Sequence, residues 1–417
     1  MTTAGTAGRA ARGGAQIAGA MFVMNVATYG YTVLAARLLG PGSYGGFAAV
    51  MNLLLVVSVV ALALQATAAR RISADVDHVA QIERGVLQVS WYAALALGGV
   101  LLLLFPVVER VLRLDSSATA LLVAATAVPL TAMGGQAGVL QGERRWRALG
   151  AVYVAAGVPR LLIGVSLLAW QPSEFLAVLA VGVGALAPVA TGWWLLRPQR
   201  TTGAEADRHR GTAILRESLA NSQALLAYFA LSNLDIVVAR NVLGGYESGL
   251  YAGGLILTKA MLFLPQFVVV VAFPSMVETA QRASTLSRSL GVIAGLGALG
   301  TLGCALLPEL ALVFIGGGEF ASILDRLWLF ALLGTVLAML QLLVYSVLAR
   351  QGRRSSVLLW LALTAMLVVG STAETLAGLV VRVIVVDATL LAVLLALSAW
   401  LLRRDASTPQ PTGSLTR

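Results

Sequence analysis

The stretch ARLLGPGSYGGFAA at residues 36–49 returns half a chain later as ARNVLGGYESGLYAGG at residues 239–254. Arg37 falls on Arg240, and a one-residue gap brings Gly45, Phe47 and Ala48 onto Gly249, Tyr251 and Ala252. A second pair keeps nearly the same offset, VLQGERR at 139–145 and VLARQGRR at 347–354. A protein with many loops offers chance matches, but two pairs at a consistent offset argue for a duplicated chain.

Composition says what each copy contains. The 417 residues are 59% hydrophobic and 12% charged, whereas about a quarter of a soluble domain is charged. This excludes an ordinary soluble globule and predicts a polytopic membrane protein. Runs long enough to cross about 30 Å of hydrocarbon fall at 16–39, 44–68, 86–107, 118–140, 147–170, 174–196, 215–239, 248–274, 289–307, 323–349, 356–371 and 376–402. Each copy takes six of these runs, and six is even, so the copies share one orientation about an axis along the membrane normal, with a cleft between them. The expected fold is an all-α polytopic membrane protein with about 12 transmembrane helices in two parallel six-helix repeats. Residues 1–196 form the first bundle, 197–214 a cytoplasmic linker, 215–404 the second bundle and 405–417 a disordered cytoplasmic tail. The linker's Pro, Gly and charge content suits a flexible connection. The polar, basic start runs into apolar sequence without a cleavage site, which predicts a retained first span.

A net charge of +10 would suit nucleic acid if it were gathered into one patch. The arginines instead occupy short loops, the pattern of membrane topology, so no nucleic-acid partner is expected. Most of the 29 basic residues lie at the termini and in the even-to-odd loops, and the opposite face holds only Arg37, Arg110, Arg113, Arg240 and Arg326. The positive-inside rule makes the arginine-rich face cytoplasmic, with both termini on it, in a multi-pass protein of the cytoplasmic membrane.

Three basic residues remain inside spans: Arg160, Lys259 and Arg382. Lys259, in GGLILTKAMLFLP at 253–265, is the chain's only lysine. A charge at the bilayer centre costs about 2.5–3.5 kcal/mol on insertion scales, so such residues face a partner or a cavity. Counting about 1.5 Å of rise per residue, Lys259 and Asp387 fall near the midplane with Arg160 close by, and Asp235 and Arg382 lie further out. Arg382 and Asp387 are five apart, as are Asp235 and Arg240; that spacing turns a helix through about 140°, so neither pair meets along its own helix.

Three cations against two anions, with Arg37 and Arg240 adding charge at the rim, suit an anionic substrate such as a phosphate or diphosphate. Two other readings stay open: Lys259 as half of an interhelical salt bridge to Asp235 or Asp387, and those carboxylates as proton or sodium sites. Gln136, Gln141 and Gln341 suit hydrogen bonds between helices. No nucleotide loop, nucleophile motif or cofactor motif is present, so neither an enzyme nor a cofactor is expected. Cys304 has no second cysteine to pair with, and the distant His78 and His209, in polar segments, predict no metal cluster.

The two repeat stretches, with ARRIS after the second span, NLDIVVAR in the seventh, FLPQF and AFPSM behind it, and VLQGERRW after the fourth, resemble the polysaccharide-transport proteins. These are the lipid-linked oligosaccharide flippases of the multidrug/oligosaccharidyl-lipid/polysaccharide (MOP) superfamily, and the resemblance runs from about residue 16 to 404. It implies a V-shaped pair of six-helix bundles that moves a polyprenyl-diphosphate-linked glycan to the outer leaflet by alternating access. It also implies a cationic cavity supplied by Arg160, Lys259 and Arg382, a recurrent acidic position at Asp235, and glycan polymerase or glycosyltransferase partners of the same pathway. The arginines that lipid II flippases carry in the first span are missing, since residues 21–34 contain no charge. A cation-coupled multidrug exporter of the same superfamily and a non-transporting scaffold of a glycan-assembly complex are the competing functions.

Overall fold

The structure, a computed structural model, describes residues 3–197, 206, 209–262, 282–348 and 353–407. Most of the linker, the second part of the eighth span, residues 349–352 of the VLARQGRR repeat and the tail beyond residue 407 lie outside it. Among the described residues the elements are helices joined by short turns.

The first apolar stretch, Gly13–Ala74, is continuous for 62 residues. At about 1.5 Å per residue it would be roughly three times as long as the hydrocarbon is thick, so it has to fold back. The fold lies inside helix α1 (Thr3–Val57) at Gly40, whose φ of 62° and ψ of 173° suit glycine, with Pro41 withholding its backbone N–H just after it. Helix α2 (Val59–Ala74) continues the second arm. Side-chain register shows that the arms run oppositely. Gly150, Gly157 and Gly164 of α6 (Trp146–Trp170) meet Ala20, Met24 and Tyr31 in parallel order. Gly134, Gly138 and Gly142 of α5 (Ser117–Gly142) meet Ala61, Gln65 and Ile72, also in parallel order. Since α5 turns directly into α6, the arms they follow point in opposite directions. A Cβ on Gly138 would stand 2.6 Å from the Gln65 carbonyl oxygen, so the small residues bring these backbones into contact, as membrane helices require.

The first copy is completed by α3 (Val79–Leu103), α4 (Phe105–Leu112), α7 (Glu174–Gly184) and α8 (Leu186–Leu195). The second copy comprises α9 (Gly211–Leu231), α10 (Asp235–Val242), α11 (Gly245–Met261), α12 (Arg282–Leu306), α13 (Pro308–Ile315), α14 (Leu327–Leu348), α15 (Arg353–Gly370) and α16 (Leu376–Ser407). Packing repeats with the sequence: α2 and α3 lie on α5 as α11 and α12 lie on α14. Each copy also inserts a short helix after its third span, α4 or α13, with a proline at its first or second position.

Nine stretches among the described residues have the length and hydropathy of a span. The first carries two crossings, and the shorter Gly245–Met261 and Ser356–Gly370 complete twelve. The two copies meet along the second arm of α1 and α11. There the repeat-equivalent glycines touch, because a Cβ on Gly45 would lie 3.2 Å from the Gly249 Cα.

Candidate functional site

A cavity of about 320 Å³ lies between the copies, lined by both arms of α1, by α6, α9 and α11, and by Gln341 of α14. Its polar lining includes Asn25, Thr28, Thr32, Asn52, Ser232 and Asn233, and its aromatic lining Tyr29, Tyr44, Phe47, Tyr228 and Phe229. Among the described residues two cations face it, Arg160 from the first copy and Lys259 from the second; neither Asp235 nor Asp387 lines it.

The seventh span explains how Lys259 is held. Helix α9 ends at Leu231, a turn of three residues follows, and α10 begins at Asp235. Lys259 Nζ donates to the Ser232 carbonyl at 3.0 Å and to Asn233 Oδ1 at 2.6 Å. A cation at a helix C-terminus and a carboxylate in the first turn of the next helix are both favoured by the peptide dipoles. Asp235 takes that second place, accepts from Tyr251 Oη at 2.8 Å and is 3% exposed. The broken helix thus parts the charges, ammonium toward the cavity and carboxylate behind it. The direct bonds of Lys259 are to a backbone carbonyl and an amide, and Asp235 stays within electrostatic reach of the ammonium.

Arg160 is held by soft contacts. Its guanidinium carbon lies 5.3 Å from the Tyr31 ring centroid, and Nη2 lies 3.2 Å from Met51 Sδ. Tyr31 is fixed by donating to the Ala177 carbonyl at 2.7 Å and by an edge contact with Phe47. Cation–π contact leaves the guanidinium N–H groups in its plane for other acceptors, and Nε is buried with no hydrogen-bond partner among the described residues.

The remaining charges go elsewhere. Asp387 is 0% exposed, and both its oxygens lack a hydrogen-bond partner among the described residues. Tyr251 stands within electrostatic reach of both Asp235 and Asp387. Arg382 is half-buried on α16 and lies outside the cavity lining. Gln136 and Gln141 bond between helices, to the Val189 carbonyl and to Gln65, whereas Gln341 lines the cavity.

Arg37 and Arg240 close the arginine-poor rim instead of lining the cavity. Arg240 Nε donates to the Leu112 carbonyl at 2.9 Å, and Nη2 makes a short bond to the Arg113 carbonyl. Arg113 adopts a left-handed conformation, φ 50°, where α4 ends. Arg113 and Asn241 return bonds across the same seam, to the Asn241 and Val111 carbonyls. Arg37 Nη2 does the reverse, donating at 2.7 Å to the Val313 carbonyl near the end of α13. Each copy therefore caps the short helix of the other.

Sequence spacing concealed one more cluster. His78 and His209 are far apart in the chain, yet both reach the carboxylate of Asp75, at 2.9 and 2.8 Å. The expectation of no metal-ligand grouping fails because the fold returns the segment before α9 to the turn between α2 and α3.

No family model matches this chain, and no curated protein matches it in sequence. Solved structures do match in three dimensions. The inward-facing conformation of a multidrug resistance MATE family transporter of the MOP superfamily superposes with a TM-score of 0.72 at 14% identity, covering 94% of this chain and 96% of that one. The fold is that of the MATE transporters. An outward-facing conformation of a multidrug resistance MATE family transporter gives a TM-score of 0.61 at 15% identity over 95% of this chain and 96% of that one. A eukaryotic MATE transporter gives 0.62 at 13% identity over 94% and 96%. The likeness is therefore to the MOP superfamily fold as MATE proteins display it. It does not single out the oligosaccharide-flippase branch.

Proposed function

We propose that the chain is an alternating-access exporter that carries an amphipathic anion through the cavity between its copies. The observation that carries this reading is that Arg160 and Lys259, one from each copy, both line the cavity, with no carboxylate in the lining among the described residues. A bound anion would be held by both moving parts at once, and the aromatic walls would take its apolar portion. The cavity volume falls at the lower end of the range for small-molecule sites, which favours a drug-sized anion over a whole oligosaccharide. The MATE fold supports an exporter at least as well as a glycan flippase.

Coupling to an ion fits the buried carboxylates. A carboxylate without donors is tolerated in a dry interior when it holds a proton or a cation, and among the described residues Asp387 has no donor. A second reading, a flippase for a polyprenyl-diphosphate-linked glycan, draws on the same two cations; the diphosphate head would occupy the cavity while the glycan and lipid extend beyond it.

The test uses the full chain in proteoliposomes, assayed in parallel with a fluorescent amphipathic anion, a matched amphipathic cation and a fluorescent polyprenyl-diphosphate oligosaccharide. Transport of the anion, at least about tenfold slower in Lys259→Ala and partly kept in Lys259→Arg, is the expected result. Movement of the lipid-linked glycan alone would select the flippase, and movement of the cation alone would overturn the anionic reading. Asp387→Asn should abolish dependence on a proton or sodium gradient; unchanged dependence would remove Asp387 from coupling.

A further inference from the structure

Both histidines of the chain converge on one carboxylate. Asp75 caps the end of α2 with φ −139° and ψ 87°, and the tight 3-10 turn Val76–His78 then brings His78 back onto it. His78 Nδ1 lies 2.9 Å from Asp75 Oδ1, and His209 Nε2 lies 2.8 Å from Asp75 Oδ2, so each ring takes its own oxygen. The rings are 5.5 Å apart, and one donor atom from each of the three residues lies within 4.8 Å of the other two. Tetrahedral zinc with bonds of about 2.0–2.2 Å holds its ligands roughly 3.3 Å from one another. Small rotations of the two rings would make room for such an ion.

The third ligand is delivered by specific contacts. Gln81 reads the backbone at residue 206 in both directions, donating to the Ala206 carbonyl at 3.0 Å and accepting from its N–H at 2.9 Å. His209 is then buried beneath Arg71, whose guanidinium is held by Glu217 of α9 at 2.8 and 2.6 Å. His78 and Asp75 keep a partly exposed edge, which leaves an entry path.

Two imidazoles and one carboxylate form the donor set of zinc, cobalt and nickel, whereas magnesium and calcium take oxygen. We propose that Asp75, His78 and His209 bind one divalent transition-metal ion on the arginine-rich face, with water in the remaining position. Asp75 and His78 belong to the first copy, and His209 leads directly into α9 of the second. The ion would therefore staple the two copies together on the face opposite the Arg37 and Arg240 caps. Arg71 works against it. Its Nη1, 3.4 Å from His209 Nδ1, favours the tautomer with the proton on Nε2, and the metal has to displace that proton. Arg71 thus sets the affinity lower than the ligands alone would give.

The experiment uses the full chain in detergent with its affinity tag removed and metals stripped by chelator. It titrates Co²⁺ by visible absorption and then displaces it with Zn²⁺. One tetrahedral Co²⁺ per chain is expected, with affinity falling at least about tenfold in His78→Gln and in His209→Gln and rising severalfold in Arg71→Gln. Zn²⁺ should raise the Tm of the wild type and leave that of His78→Gln unchanged. Because His209 is buried and its replacement can loosen the fold, His78→Gln carries the decisive comparison: its metal-free Tm should equal the wild type's. No Co²⁺ bound by the wild type, or equal binding by His78→Gln, would overturn the site.

Discussion

Arg37 and Arg240 hold the same place in the two copies, but their surroundings differ sharply. Arg240 is 6% exposed and serves the Leu112 and Arg113 carbonyls at the end of α4 and the Ser248 hydroxyl; Arg37 is exposed and serves one carbonyl of α13. Duplication supplied the same side chain twice, and burial then made one of them structural. A buried hydrogen bond to a charged group contributes about 1.5–3 kcal/mol, whereas an exposed one contributes about 0–1 kcal/mol after side-chain entropy and screening. The seam is therefore chemically symmetric and energetically lopsided.

Three substitutions probe that imbalance, beginning with the glycine contact beside Arg240. A Cβ on Gly249 would overlap the Pro41 carbonyl, which is backbone at the chain's fold and cannot step aside. Gly249→Ala should cost about 3 kcal/mol or more by overpacking, read as lost thermal stability in detergent and faster amide exchange along residues 41–49. Arg240→Ala comes next, at about 2–3 kcal/mol, since it leaves the carbonyls at the end of α4 uncapped. Its exchange signature should be confined to residues 111–114. Arg37→Ala should stay within about 1 kcal/mol. If Arg37→Ala cost as much as Arg240→Ala, the asymmetry described above would be wrong.

The fold was legible because membrane spans announce themselves through length and apolarity, and because the arginines mark one face. The parallel repeat followed from two short stretches. The short helices α4 and α13 were not legible, since each begins where a longer apolar run ends and only Pro106 and Pro308 mark them. At the site, Lys259 and Arg160 stood out as charges within apolar sequence, and both reach the cavity. Arg37 and Arg240 were expected there too. Their position near span ends was readable, but their partners are carbonyls, which no residue type advertises. The Asp75, His78 and His209 cluster was hidden for a related reason. Only the first two are close in sequence, and the third arrives by a tertiary contact.

The break at Ser232 places the Lys259 ammonium between two demands, the helix end and the cavity. Lys259 uses its ammonium protons to close the end of α9, through the Ser232 carbonyl and Asn233. Under the anionic reading proposed above, an anion in the cavity would compete for those same protons. As Nζ turned toward it, the end of α9 would lose its tether, and the turn of three residues would become free to bend. Occupancy would then be converted into backbone slack within the seventh span, and release of the anion would take that slack up again.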